Sequence, residues 1–295
     1  MIFTIILILL LDYGSFNVVK KENNSTSIER IVSLSPSITE TLFELGLGDK
    51  VVGRTRFCNY PVSVNKIPEV GGYLDLNYEQ IISLKPDLVI LLPEHEKAQQ
   101  YFSELNIKFL EVDNKTISDI LNTISVIGNY CGVPENSNQI VNEIETTISH
   151  IKFKTQNLSK PKTLISIGRT LGVGEISEMY VAGTNTYFSE LIFIAGGKTI
   201  FESESIAYPT LSAEGLLSVN PDVIIDFFNQ ATATNLTKEI LLKDWESLRG
   251  LKAVDNNRIT VLSSDYISIP GPRFILLLED LAKAIHPEID WNKHE

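Results

Sequence analysis

Apolar and polar residues form alternating blocks along the chain, and these blocks predict strands separated by helices. The continuous apolar run at 88–92, and the runs at 31–34 and 223–228 that are apolar apart from one polar residue each, are typical of strands buried on both faces. Helix-like stretches, with apolar positions three or four residues apart, lie between the runs. Buried strands that alternate with helices predict a parallel sheet covered by helices on both faces.

Helix boundaries can be predicted near the amino terminus. Ser37 is followed three residues later by Glu40, a spacing that indicates a capping box at the start of a helix, and Gly46 would end that helix. A second helix is predicted over 78–85. It ends there because Pro86 disfavours helical backbone at the residue before it.

One segment occurs twice. LNYEQIISLKPDLVI at 76–90 returns as LSAEGLLSVNPDVII at 211–225, and the equivalent Glu79 and Glu214 are 135 residues apart in the sequence numbering. The offset is constant through both segments. A period this long exceeds the roughly 20 to 50 residues of solenoid repeats, so it predicts two domains of similar construction.

A long helix is predicted between the two repeats. Ile140, Ile144, Ile148 and Ile151 form one apolar stripe at helical spacing. About two dozen helical residues make a rod of roughly 35 Å, which would bend little without an internal proline or glycine. The predicted organisation is an export segment and leader at 1–27, an N-terminal α/β lobe at 28–133, a connecting helix at 134–159 and a C-terminal α/β lobe at 160–295.

Composition and net charge exclude one class of function and limit the number of disulfides. The chain has 295 residues, 43% hydrophobic, and a formal net charge of −12, which argues against a nucleic-acid-binding protein because phosphates require a basic face. The two cysteines, Cys58 and Cys131, either remain free or form one bridge in an exported protein. We expect a monomer.

An apolar run at 5–11 is too short to span a bilayer and suits the central region of a secretory signal, which predicts export. The alternative is a buried amino-terminal strand. No cysteine precedes Cys58, so no amino-terminal cysteine is available for lipid modification.

Motifs for catalysis are weak. There is no Gly-x-Ser-x-Gly motif, and the four histidines are dispersed rather than paired at metal-ligand spacing. We expect His95 to be a solvated loop residue. A metal-dependent enzyme on a two-lobed frame would need convergent ligands that this pattern does not supply, so we predict no catalytic activity and no cofactor.

Aromatic residues are the candidate ligand-binding groups. Tyr73 and Tyr208 each precede a repeated glutamate by six residues. Ligands of open α/β sheets bind beyond the carboxyl ends of the strands, so facing lobes would place one ring on each wall of a cleft. A broad, flat, largely apolar ligand suits such walls. Nearby loops add Phe57, Tyr60, Tyr266, Arg54, Arg56 and Arg273.

Glu79 and Glu214 admit two interpretations. Each lies in the first turn of a predicted helix, where a carboxylate favours the positive end of the helix dipole. Alternatively, one acid on each lobe contacts arginines of a two-fold partner and orients the complex.

The segments RIVSLSPSITETLFELGLGDKVVG, CNYP, EQIISLKPDLVI, IAGG and SVNPDVII together resemble the cobalamin-type periplasmic binding proteins of ATP-binding cassette importers. The resemblance runs from about residue 30 to the end. It implies two Rossmann-like lobes joined by a single long rigid helix, with the ligand held in the cleft between them. It also implies location in the periplasm or at the outer face of the cytoplasmic membrane.

By motif position the resemblance implies that Phe57, Tyr73, Tyr208 and Tyr266 enclose a corrinoid, with Tyr60 nearby, and that Glu79 and Glu214 dock on permease arginines. The sequence lacks the tryptophans of the best-known relative, with Tyr73 and Leu92 in their places. Arg54, Arg56 and Arg169, if they face the cleft, would suit the carboxylates of haem or of a ferric siderophore instead.

Overall fold

The computed structural model describes residues 27–201, 206–228 and 236–293. The predicted export segment lies outside the described residues, apart from its last position. Within the described ranges, no helix is long and apolar enough to cross a membrane.

The strands are β1 Ile31–Ser33, β2 Val51–Arg54, β3 Leu88–Leu91, β4 Phe109–Glu111, β5 Lys162–Arg169, β6 Glu178–Val181, β7 Lys198–Thr199, β8 Thr210–Ser212, β9 Val223–Phe227 and β10 Ile259–Leu262. The α-helices are α1 Pro36–Glu44, α2 Tyr78–Ser83, α3 Glu96–Glu104, α4 Ile117–Tyr130, α5 Pro134–Thr155, α6 Tyr187–Ile194, α7 Ala213–Val219, α8 Lys238–Trp245, α9 Lys252–Asp255 and α10 Phe274–Ile285.

The first sheet has the order β2-β1-β3-β4, and every pair in it is parallel. Ile31 is in register with Leu88, and Val89 with Phe109. All four residues of β3 are fully buried, as expected for a central strand covered on both faces.

The second sheet has the order β10-β9-β5-β6-β8, with β7 paired to β5 off this path. Strands β10, β9, β5 and β7 are parallel, whereas β6 and β8 are antiparallel to their neighbours. The second sheet is therefore mixed rather than wholly parallel. Strand β6 follows β5 directly, and such a short return connection permits only antiparallel pairing.

The capping box predicted at Ser37 is wrong. Helix α1 begins at Pro36, after Ser35 at the N-cap, because proline favours the first helical position. The Ser37 hydroxyl pairs with that of Ser35 and accepts a hydrogen bond from Asn114. Glu40 points instead to Arg273.

The sequence repeat is a structural repeat. Helices α2 and α7 are followed by Lys85 and Asn220, with φ of 47° and 44°. At both places the chain therefore passes through the left-handed region immediately before a proline. Asp87 then accepts hydrogen bonds from the backbone N–H groups of residues 29 and 30, and Asp222 accepts one from that of residue 162. Each aspartate thus fixes the start of the neighbouring strand by backbone hydrogen bonds, which is a structural reason for much of the sequence repeat.

Helix α5 has 22 residues and is therefore roughly 33 Å long. Ile144, Ile148 and Ile151 on its apolar stripe are buried, and the helix packs against α4, α6 and α10. It connects the two sheets and contacts helices of both. Two α/β lobes linked by one long helix confirm the predicted fold class.

Candidate functional site

A cavity of about 1270 Å³ lies between the lobes and is lined by residues from both. Phe227, the last residue of β9, and Asn114, shortly after β4, reach it from the carboxyl ends of their strands. Pro36 reaches it from the start of α1. The cavity therefore occupies the position expected for ligands of open α/β sheets.

The C-terminal lobe forms an aromatic wall of Tyr187, Phe188, Tyr208 and Phe227. The Phe188 ring lies 4.1 Å from that of Tyr187 and 5.5 Å from that of Phe227, centroid to centroid. Tyr208 was predicted and is 46% exposed, whereas the other three are nearly buried and read as core residues in the sequence. The sequence offered a signal for one of these three: Phe227 is equivalent in the repeat to Leu92, which stands where the best-known relative has a tryptophan.

The N-terminal lobe contributes Phe57 and Tyr60, whose side chains are 53% and 39% exposed. Phe57 also borders an adjoining pocket of about 320 Å³, which Tyr73 and Leu92 line. Tyr208 therefore lines the interlobe cavity, whereas Tyr73 of the other lobe lines the adjoining pocket.

Tyr73 is held by His95, which is buried, so the expectation of a solvated loop residue is wrong. The His95 Nδ1 accepts the N–H of Leu92 at 3.1 Å, which leaves Nε2 to donate to the Tyr73 carbonyl at 2.8 Å. The two rings also meet edge to face at 5.1 Å. Burial, assisted by nearby Glu94, raises the pKa of Tyr73 to about 12, so its phenol stays neutral.

Charged side chains are few around the cavity. Among the described residues, those that line it are Glu94, Lys115 and Asp265. Lys115 is paired with Asp113 at 3.3 Å, and Asp265 with Arg273 at 2.8 Å. No arginine of the described segments lines the cavity, so its polar contacts come mainly from amides and hydroxyls.

Arg169 does not line the cavity, contrary to the prediction. Its side chain is 1% exposed and forms ion pairs with Asp226 at 2.8 Å and Asp244 at 2.7 Å. These aspartates lie on β9 and α8, and they draw the guanidinium back into its own lobe. Burial alone would raise the pKa of Asp244, but Arg169 and the N–H groups of Gly172 and Gly174 outweigh it and hold that pKa below its ordinary value.

Three further predicted residues lie elsewhere. Tyr266 is absent from the cavity lining, and its hydroxyl donates to Asp280 at 2.7 Å. Arg54 is buried against Glu69, and Arg56 pairs with Asp75 at the surface. The partner of Tyr266 lies in helix α10, and those of the two arginines lie on loops, at positions that the sequence order does not identify.

Glu79 and Glu214 are exposed in the first turns of α2 and α7. The helix N-caps are also equivalent, because Asn77 and Ser212 each accept the N–H of the residue three positions later. The pKa of Glu214 lies below its ordinary value because its own backbone N–H and the Ser212 hydroxyl bind the carboxylate. The two acids therefore occupy matching positions on two lobes.

Both cysteines are free, with Cys58 buried and Cys131 half-buried. In the segments that the structure describes, no group of three or more histidine, cysteine, aspartate or glutamate side chains is placed to hold a metal ion.

Comparison with known proteins agrees with this architecture. The chain is 29% identical over 265 residues to an uncharacterized ABC transporter substrate-binding lipoprotein of Bacillus subtilis, covering 88% of this chain and 81% of that protein. It is 26% identical over 258 residues to a vitamin B12-binding protein of Vibrio vulnificus, covering 87% and 89%. A periplasmic heme-binding protein from Roseiflexus has a solved structure with a TM-score of 0.73 and 26% identity, covering 88% of this chain and 98% of that one. A family model described as periplasmic binding protein matches residues 31–266, and with its two α/β lobes, linking helix and interlobe cavity the chain belongs to that family.

Proposed function

We propose that the protein is an extracytoplasmic solute-binding protein that captures a corrinoid of the cobalamin class between its lobes and delivers it to an ATP-binding cassette importer. The corrinoid is transported cargo, and the protein performs no chemistry on it. The observation that carries this proposal is the cavity of about 1270 Å³ with aromatic side chains from both lobes.

The size and lining of the cavity suit a corrinoid. Its volume lies above the roughly 300 to 1000 Å³ of common small-molecule pockets. Aromatic rings such as Phe57 and Tyr208 offer flat apolar faces to a macrocycle. The amide groups around a cobalamin would find neutral partners in Asn59, Asn114 and Asn185, which line the same space.

Haem or a ferric siderophore is the second candidate, favoured by the similarity to a heme-binding protein. The carboxylates of haem are best matched by arginine. Lys115 is the cation that the described lining offers, and Asp113 already pairs with it. The raised pKa of Tyr73 also disfavours the phenolate that would bind ferric iron.

Calorimetric titration with cyanocobalamin, and with haem in parallel, tests which of these ligands the protein binds. We expect one-to-one binding of cyanocobalamin that weakens at least about tenfold, equivalent to about 1.4 kcal/mol, in a Tyr73→Ala/Tyr208→Ala variant. A Tyr130→Ala/Tyr180→Ala variant is the matched control, because these tyrosines are exposed, lie one on each lobe and do not line the cavity. Tight haem binding without cyanocobalamin binding would replace the ligand and retain the carrier.

Delivery is proposed to use Glu79 and Glu214, which would contact arginines of two permease subunits. Their matching exposed positions on the two lobes support this docking. Charge reversal of both acids should abolish transport and leave ligand affinity unchanged. Reversal of Glu96 and Glu239, exposed first-turn glutamates outside the repeat, should leave transport intact. An equal loss of ligand affinity in the Glu79 and Glu214 variant would contradict a docking role.

Export is part of the same proposal. It predicts that the mature protein is recovered outside the cytoplasm, either in the periplasm or at the outer face of the membrane. Fractionation of cells expressing the full chain, followed by amino-terminal sequencing, would identify both the compartment and the processed terminus.

A further inference from the structure

Arg273 connects the two lobes at the edge of the cavity. It is the N-cap residue of α10 in the C-terminal lobe, and its Nε and Nη2 atoms donate to the two carboxylate oxygens of Glu40 in α1, at 3.0 and 2.6 Å. The side chains are 12% and 3% exposed. This is a two-pronged, largely buried ion pair between segments 233 residues apart.

The same guanidinium also organises the cavity wall. Asp265, which lines the cavity, accepts from Nη1 at 2.8 Å and from Nη2 at 3.1 Å. The ring of Tyr60, another lining residue, lies 3.5 Å from the guanidinium carbon. Arg273 itself is not among the lining residues. One side chain therefore fixes a lining residue of each lobe without reaching the ligand space.

The chain segments approach closely at this point. A Cβ atom at Gly271 would lie 3.3 Å from the Ser37 Cα and 3.4 Å from a carboxylate oxygen of Glu40. Only a planar fork can make two paired contacts and also stack on a ring, so lysine cannot reproduce the arrangement. By contrast, Arg258 contacts the other end of α10 through carbonyl oxygens of its own lobe.

We propose that Arg273 is a positioning residue, which sets the spacing of the two cavity walls through Glu40 and holds the Tyr60 ring ready for ligand. Ligand affinity then depends on a residue that does not contact the ligand. The inference rests on the proposed function for its binding measurements, whereas the order of the Tyr60 ring can be measured without ligand.

Fluorine NMR of protein labelled with 3-fluorotyrosine supplies the ligand-free measurement, with the Tyr60 signal assigned by Tyr60→Phe. We expect Arg273→Gln to shift or broaden that signal and Arg258→Gln, the matched control, to leave it unchanged. Arg273→Lys keeps the positive charge but loses the planar guanidinium, so it should also change the Tyr60 signal. It is the more conservative variant if Arg273→Gln does not fold. An unchanged Tyr60 signal in both Arg273 variants would overturn the proposal.

Cyanocobalamin affinity supplies the second measurement. Arg273→Gln should weaken binding about tenfold in the wild-type background but less than about threefold in a Tyr60→Ala background, because residues that act together are not additive. A merely structural role would give equal losses in both backgrounds, and equal losses would refute positioning through Tyr60. If wild-type protein does not bind cyanocobalamin, the proposed ligand fails while the NMR result still decides the role of Arg273.

Discussion

Replacement of Arg169 by methionine separates a structural role from a ligand-binding one. The change removes the ion pairs at 2.8 Å to Asp226 and 2.7 Å to Asp244 and leaves both carboxylates almost completely buried. Asp226 keeps the indole N–H of Trp245, and Asp244 keeps two backbone N–H groups. Among the described residues, no other cation is paired with either carboxylate.

Breaking a buried ion pair in this way costs about 3 to 5 kcal/mol. That is a large fraction of the roughly 5 to 15 kcal/mol that stabilises a typical fold. Arg56→Met is the matched control, since its pair with Asp75 is 49% and 70% exposed and should contribute no more than about 1 kcal/mol.

Urea unfolding followed by tryptophan fluorescence measures the change, because Trp245 lies inside the cluster. Without Arg169, burial raises the pKa of Asp244 against the backbone N–H groups of Gly172 and Gly174 alone, so the cost of its buried charge is present at neutral pH and shrinks as Asp244 is protonated. The difference from wild type should therefore be smaller at pH 5 than at pH 7. A loss of stability below about 1 kcal/mol, together with a tenfold loss of ligand affinity, would refute this reasoning and return Arg169 to the ligand site.

Three other predictions follow from single contacts. The pKa of Asp244 is lowered in the folded state, so the stability that its carboxylate contributes is complete above its unfolded-state pKa of about 4 and is lost as the pH falls through the lower folded value. Asp244→Asn should therefore flatten the acid side of a plot of unfolding free energy against pH. His95→Phe leaves the Leu92 N–H and the Tyr73 carbonyl without their partner and should cost about 2 kcal/mol or more in urea unfolding, while His95→Gln should recover part of the loss if hydrogen bonding is the cause. Gly71→Ala should cost about 1 to 3 kcal/mol in thermal unfolding, because φ is 106° and a Cβ would clash with the Asp75 carbonyl oxygen. Gly132→Ala, with φ of 78° and open space around the Cβ, should cost less in the same assay.

The strand and helix pattern was readable from local sequence because burial imposes it residue by residue. The apolar runs became β3 and β9, and the isoleucine stripe became the buried face of α5. The capping box failed because helix α1 begins at Pro36, so Ser37 already lies inside the helix and cannot cap it. Glu40 binds Arg273 instead, a partner so far along the chain that a local motif cannot reveal it.

The aromatic residues of the cleft were only partly predictable. The repeat, which supplies register between the lobes, pointed to Tyr208 in the cavity lining and to Tyr73 in the lining of the adjoining pocket. Tyr187 and Phe188 were missed because they open a helix in an apolar stretch that is indistinguishable from core sequence. Their contact with the cavity depends on how the two lobes face each other.

The sequence by itself determined two α/β lobes, the connecting helix and the equivalence of Glu79 with Glu214, since periodicity and register are properties of the chain order. Tertiary structure decided which charged groups remain available. It placed Arg169 between two buried aspartates and used Arg273 to join the lobes, because a buried charge must find its partner wherever folding brings one within reach.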